Sequence, residues 1–213
     1  YEALTFTASV HAEPIEVLEN TGIHLMVVRT LDIVYADQRE LIERSLEHDH
    51  QEIIDMYMVD NKQRYVSKSI ELLQWLKLRK DDFAIMGENV KQYLGTDLSQ
   101  LDLFLERDDI TGDSAGLGVA LTGLMSQGQF KNNVPIGVTG ALSAEGEVLP
   151  IGMVKEKILI AEAEGYPFII VPFENASEAK QVKDEQNLSI EIIDVKHIDE
   201  AVQHIVMLNE KHR

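Results

Sequence analysis

From residue 101 to the end, short apolar runs bounded by Gly, Pro or Asn alternate with longer stretches whose apolar residues recur every three or four positions. A run with period two lays its side chains on the faces of a strand, and a period near 3.6 lays them on one stripe of a helix. Residues 101–105, 135–139, 147–151, 168–171 and 189–193 read as strands. Residues 115–125, 154–164 and 198–208 read as helices, the second ended by Gly165. Strands and helices interleaved in this way must cover each other, so an α+β domain is expected, with helices packed on mixed strands.

The first part of the chain opens as β, with strands expected at residues 4–10 and 23–28. Asp37 followed by Glu40 has the capping-box spacing, and residues 38–58 then carry Leu41, Ile42, Leu46, Ile53, Ile54 and Tyr57 at helical intervals. A second helix is predicted over 63–78, with Val66, Ile70, Leu73 and Leu76 on one face. Together these form a helical insertion after the second strand. Residues 79–94 are mixed and polar around Gly87, and read as a loop with one helical turn at most. A soft change near Asp97 separates residues 1–96, strands plus a helical segment, from a catalytic core at 97–213, the two read as one continuous domain.

The chain has 213 residues, 45% of them hydrophobic and 26% charged, with a formal net charge of -18. That composition buries a real core, and that charge repels phosphate backbones and anionic headgroups, so nucleic-acid and membrane-surface partners are not expected. With no cysteine there is no thiolate chemistry and no cysteine zinc site. No run approaches the roughly 18 apolar residues of a membrane span. The sequence begins at Tyr1 without an initiating Met and reads as a fragment or processed form, so an anchor or a further module lies outside it if there is one.

Gly112-Asp113-Ser114-Ala115-Gly116 sets a serine between glycines at the start of a predicted helix. Glycines allow the tight turn, and free N–H groups at a helix start can hold a developing oxyanion. Serine is equally a common N-cap, so the pattern needs a base to become chemistry. Two bases are on offer. A Ser-His-Asp hydrolase would draw on Asp194 with His197, or Asp199 with His204, but some eight mostly polar residues separate the expected strand end from Ser114, a poor match to a nucleophile elbow. A lysine must be uncharged to accept the serine proton, hence desolvated. On a helical wheel Lys157 falls near the apolar side, between Ile160 and Ala161, whereas Lys155 points towards Glu162 and solvent. A lysine snorkelling from the edge of an apolar face would look the same.

Four blocks resemble one family. T-G-D-S-A-G at residues 111–116 is similar to the nucleophile motif D-G-P-S-A-G of the Lon protease domain; residues 138–152, V-T-G-A-L-S-A-E-G-E-V-L-P-I-G, resemble that family's T-G-E-I-[TS]-x-x-G-x-V-L-P-I-G. M-V-K-E-K follows, similar to its G-[LVI]-K-E-K, and F-I-I-V-P-F-E-N at residues 168–175 resembles its strand ending in P-x-E-N. The resemblance implies a Lon-type fold and a serine endopeptidase acting on protein or peptide substrates with a Ser-Lys dyad. Carried over, Ser114 is the nucleophile, Lys157 the general base and Thr139 the hydroxyl that orients the amine. Backbone N–H groups around Asp113 and Ala115 then serve as oxyanion donors.

No cofactor on this chain is implied, and self-association, as a hexameric ring, is. Residues 22–28 and 57–63 weakly resemble bacterial membrane-anchored Lon-like proteases, which implies an extracytoplasmic site through an anchor outside this chain, the alternative being cytoplasmic. The sequence departs from the family at Thr111, where an acid is usual, and at Asp113, where proline is usual. A carboxylate beside the nucleophile favours the charged lysine, so the resemblance also accommodates a weak or inactive Lon-like module that binds peptides or a partner.

Other features carry less. There is no G-x-x-x-x-G-K-[ST] loop, so an ATPase module would have to lie outside this chain. His48-Asp49-His50 lacks the spacing that puts two ligands on one helix face, and no metal is expected. Asn175-Ala176-Ser177 matches a glycosylation pattern by chance as readily as by function. Tyr57, Tyr65, Trp75, Tyr93, Met26, Met56, Met58 and Met125 read as packing residues.

Overall fold

A computed structural model describes residues 5–34, 53–59, 81–95 and 98–212. The chain divides into two compact units, one formed by Tyr1–Glu13 with Val27–Lys80, the other by Pro14–Met26 with Asp81–Arg213. Residue 97 falls inside the second unit, between two of its helices.

In the first unit, strand β1 (Thr5–His11) is central, flanked antiparallel by β4 (Val28–Val34) and β5 (Ile53–Val59). Ala8 and Val10, on alternate positions of β1, and Met56 of β5 are buried. The Ser9 hydroxyl donates to the Asp55 carbonyl at 3.2 Å beside a register shift in the pairing. The expected helix over 38–58 is overturned at its end, since 53–59 is a strand. Ile53, Ile54 and Tyr57 have spacings that suit either element, and β-branched residues pair well across a sheet, so tertiary pairing decides. Residues 38–52 and the helix expected at 63–78 lie outside the described residues, as do His48, His50, Tyr65 and Trp75.

In the second unit, the short strand β2 (Ile15–Glu16) pairs antiparallel with β3 (Ile23–Leu25), and β3 runs parallel to β6 (Ile136–Val138), then β9 (Phe168–Pro172) and β10 (Glu191–Val195). Helices cover both faces. On one side α1 (Asp82–Leu94), α2 (Ser99–Leu105), α3 (Gly116–Ser126) and α6 (Ile198–Lys211) share a core with Leu25, Ile136, Val138 and Ile170. On the other, α4 (Val154–Ala163) approaches Gly137, and α5 (Ala176–Gln186) lies beside it. Between them a hairpin of β7 (Ala141–Leu142) and β8 (Val148–Leu149) links β6 to α4. The mixed sheets and packed helices bear out the α+β expectation.

Two expectations for this unit are corrected. Residues 82–94 are a helix rather than a loop: the Asp81 side chain caps it by accepting from the Phe83 N–H at 2.7 Å, and Phe83, Met86, Val90 and Leu94 form its buried stripe. Residues 101–105 are the end of a helix rather than a strand. Leu101, Leu103 and Leu105 alternate as a strand would, but the buried pair is Leu101 and Phe104, three apart, and Leu103 is 85% exposed. The helices expected at 115–125, 154–164 and 198–208 form, shifted by a residue or a few, as do the strands at 168–171 and 189–193.

Helix α3 is buried along nearly its whole length, Gly116 to Leu124. Gly118 makes that possible: a Cβ there would stand 2.0 Å from Leu25 Cδ2, so the helix backbone lies directly on the Leu25 side chain of β3. Gly87, in α1, has only Leu105 Cδ2 near its missing Cβ, at 3.6 Å. Helix propensity favours alanine over glycine by about 1 kcal/mol at both positions, while overpacking a core costs about 1–3 kcal/mol. Gly87→Ala is expected to raise, and Gly118→Ala to lower, the denaturant midpoint of unfolding; a Gly118→Ala protein as stable as its parent would contradict the close helix–strand contact.

Candidate active site

Helices α3 and α4 each run back against the strand that follows, so both begin at the same edge of the sheet, where β6 and β9 end. Ser114 and Ala115 form the turn into α3, Ala115 being its N-cap with no side-chain cap bond. Thr139 follows β6. Lys157 sits on the first turn of α4.

Main-chain bonds lock the serine turn to the strand end. The Gly140 N–H donates to the Ser114 carbonyl at 2.9 Å, and the Leu117 N–H donates to the Gly140 carbonyl at 2.9 Å. Gly116 must be small here, since a Cβ would lie 3.1 Å from the Leu142 nitrogen and 3.2 Å from Met86 Cγ. The Gly116 N–H returns to the Asp113 carbonyl at 3.0 Å, which closes the turn. Among the described residues the N–H groups of Asp113, Ser114 and Ala115 donate to no other main-chain group, leaving them free for an incoming acceptor.

Beside this turn Thr139 is 1% exposed; its N–H is held by the Ile170 carbonyl at 3.0 Å, but its hydroxyl is buried with no hydrogen-bond partner. A buried unpaired hydroxyl is costly, and such groups in native structures call for a reason. Lys157 is 6% exposed, and among the described residues no carboxylate forms a salt bridge with it. Burial therefore lowers its pKa from the ordinary 10.5 to about 8, against the opposing charges of Asp113 and Glu156. At pH 7 roughly one amine in ten is then uncharged, against roughly one in three thousand for an ordinary lysine.

The chain reaches Lys157 through a constrained approach. Met153, the N-cap of α4, has φ 57 and ψ 42, a left-handed conformation that a side chain bearing a Cβ seldom adopts, and its carbonyl accepts from the Lys157 N–H at 3.2 Å. Just ahead, the Asn175 side chain grips Ile151 from both sides, accepting from its N–H at 2.9 Å and donating to its carbonyl at 3.1 Å. An amide so occupied, on a residue only 8% exposed, is not a glycosylation acceptor. Sequence reasoning missed Met153 and Asn175 as structural supports. The P-x-E-N block signalled the second, and nothing in the sequence signalled the first.

The structure thus gathers Ser114, Ala115, Asp113, Thr139 and Lys157 at one edge, with Asp113 exposed and close enough to Lys157 to act on its charge. Of the histidine alternatives, the Asp194–His197 pairing has its members engaged elsewhere. Asp194 pairs with Lys180 at 2.8 Å, and both ring nitrogens of His197 are engaged, Nε2 with the Glu145 carbonyl at 3.1 Å and Nδ1 with the Asp199 N–H at 3.2 Å.

Residues 85–208, more than half of the chain, match the Lon protease (S16) C-terminal proteolytic domain. The match begins ahead of the blocks read from the sequence and takes in most of α1 and all of α2. Over 121 residues the chain is 31% identical to the archaeal Lon protease of Archaeoglobus fulgidus, covering 55% of this chain and 19% of that protein. It is 34% identical over 126 residues to the archaeal Lon protease of Pyrococcus abyssi, covering 57% of this chain and 12% of that one. With the Lon protease of Elusimicrobium minutum it shares 38% identity over 94 residues, 43% of this chain and 11% of that protein. The chain spans less than a fifth of the length of these relatives, which are archaeal and bacterial alike. With the matched region covering α1 to α6 and the whole edge where Ser114 and Lys157 lie, the chain belongs to the family of Lon protease (S16) C-terminal proteolytic domains.

Proposed function

We propose that this chain is a serine endopeptidase in which Ser114 attacks the peptide carbonyl and Lys157 is the general base. The observation that carries the reading is the buried amine of Lys157, without an ion-pair partner among the described residues and with its pKa lowered to about 8. A lysine kept solely for stability would be exposed or paired. As the Ser114 oxygen bonds to the carbonyl carbon, its proton passes to the neutral amine, and the carbonyl oxygen takes up negative charge facing the free N–H groups of the serine turn. Collapse breaks the carbon–nitrogen bond, and the ammonium returns the proton to the leaving amine. Water then enters by the same route to release the acyl group. Thr139, with its unpaired hydroxyl, is assigned to orient the amine as it changes charge. Every proton and charge in this scheme is handled by protein groups. Protein or peptide substrates and self-association into a ring follow from the family likeness as parts of the same proposal.

Ser114→Ala and Lys157→Ala should each abolish both hydrolysis of a fluorogenic peptide and labelling by a peptide aldehyde, with folding retained by circular dichroism. Because arginine does not lose its proton in proteins, Lys157→Arg should not rescue. Full activity in any of the three would refute the dyad.

The base works when uncharged, so kcat/KM should rise about tenfold per pH unit below the amine's pKa and level off above about 8. The Asp113 carboxylate favours the ammonium; Asp113→Asn removes that charge and should move the midpoint to lower pH. A pH profile that stays put in Asp113→Asn would mean the carboxylate does not act on the base.

A further inference from the structure

The histidine that the reaction leaves unused grips the link between the two halves of the candidate dyad. Residues 140–152 form that link, with the β7–β8 hairpin at its centre. At one end Gly140 holds the serine turn through its two main-chain bonds. At the other, Ile151 is pinned by Asn175 and leads through Met153 into the helix of Lys157. The tip is a tight turn, closed by the Ser143 N–H to the Glu147 carbonyl at 2.9 Å and passing through Gly146 at φ 92.

Two segments converge on that tip. The His197 ring Nδ1 accepts the Asp199 N–H and so caps α6, with Asp199 Oδ2 3.3 Å from the same nitrogen, while Nε2 lies 3.1 Å from the Glu145 carbonyl. Tyr93, near the end of α1, sets its ring edge-on to His197 with centroids 6.5 Å apart, and its hydroxyl donates to Asp199 Oδ1 at 3.4 Å. Gly146 lies directly under both rings: a Cβ would stand 2.6 Å from Tyr93 Cε2 and 2.8 Å from His197 Nε2. The main chain runs alongside, with the Ile198 N–H donating to the Gly146 carbonyl at 3.0 Å and the Val148 N–H to the Lys196 carbonyl at 2.8 Å.

We propose that His197 is a positioning residue for the Ser114–Lys157 pair, acting through its hold on the tip of the hairpin that joins their supports. The proposal rests on the dyad reading above. A short ribbon fixed at its tip and at both ends cannot tilt, and reacting groups displaced by about 1 Å lose on the order of 100-fold in rate. The effect acts on the placement of the reacting groups, so the loss is expected in kcat rather than KM.

The test uses His197→Asn, which keeps a strong helix N-cap but cannot reach Glu145, and His197→Gln, whose amide stands nearer the place of Nε2. His197→Asn should keep the melting temperature of the parent, lower kcat about tenfold with KM within twofold, and raise the midpoint of the Lys157 13Cε NMR titration from about 8 towards 10.5 as water reaches the amine. His197→Gln should recover most of kcat. Gly146→Ala, which presses on the same rings from the other side, should repeat the loss if the asparagine variant does not fold. A His197→Asn protein with parental kcat and an unmoved titration overturns the proposal, as does a kcat loss that glutamine does not relieve. If the parent itself fails to hydrolyse or label, the dyad reading falls, while the titration still decides whether the hairpin holds Lys157.

Discussion

Stripping water from one ammonium group is the constraint around which this unit is arranged. A charged lysine in a water-poor site is unfavourable unless paired, and the protein provides no such partner among the described residues, so the amine yields its proton more easily instead. The structural requirement is a helix whose first turn is covered on the side that bears Lys157. Val154, Ile158, Ile160 and Ala161 supply the covering by binding α4 to the sheet. The two carboxylates that favour the charged form, Asp113 and Glu156, lie beyond salt-bridge reach and moderate the effect without cancelling it. Desolvation is the larger influence, and its balance against these two charges leaves the base poised near physiological pH.

The serine side follows a different logic, resting on close approach rather than on burial of charge. Gly116 lies against the Leu142 backbone and Gly118 against the Leu25 side chain, so α3 approaches its neighbours more closely than any larger residue would allow. Once α3 is fixed, the turn before it has few choices, and the bonds made by Gly140 take up its carbonyl while leaving its N–H groups free. Small residues thus do for the serine turn what large apolar ones do for Lys157.

Much of this was legible in the sequence, for identifiable reasons. The helices after Ser114 and around Lys157 have apolar runs and sharp ends, the latter stopped by Gly165 at φ 75, while the place of Lys157 on the wheel allowed either burial or snorkelling and the packed fold buries it. Residues 82–94 carried a legible cap in Asp81 and a legible stripe, but the polar residues between obscured them. Residues 101–105 misled because three leucines alternate while the true packing direction uses Leu101 and Phe104. Residues 53–59 misled because the partner strand, far away in sequence, decides their form. The left-handed turn at Met153 had no local signature, since it is imposed by what surrounds it. The unpaired state of the Thr139 hydroxyl is equally a property of the packed neighbourhood.

The missing side-chain cap on α4 carries a consequence of its own. Peptide dipoles along a helix sum to a partial positive charge at its first turn, worth about 0.3–1 kcal/mol to a nearby unit charge, and a capping oxygen would ordinarily offset part of it. Lys157 is the fourth residue of that helix, so a positive pole at its start would disfavour the ammonium and spare the neutral amine. Helix α3 also begins without a side-chain cap, and its pole lies where a carbonyl oxygen would gain negative charge. Two similar local arrangements would thus act on opposite partners of the proposed reaction, disfavouring a cation at the base and welcoming an anion at the substrate.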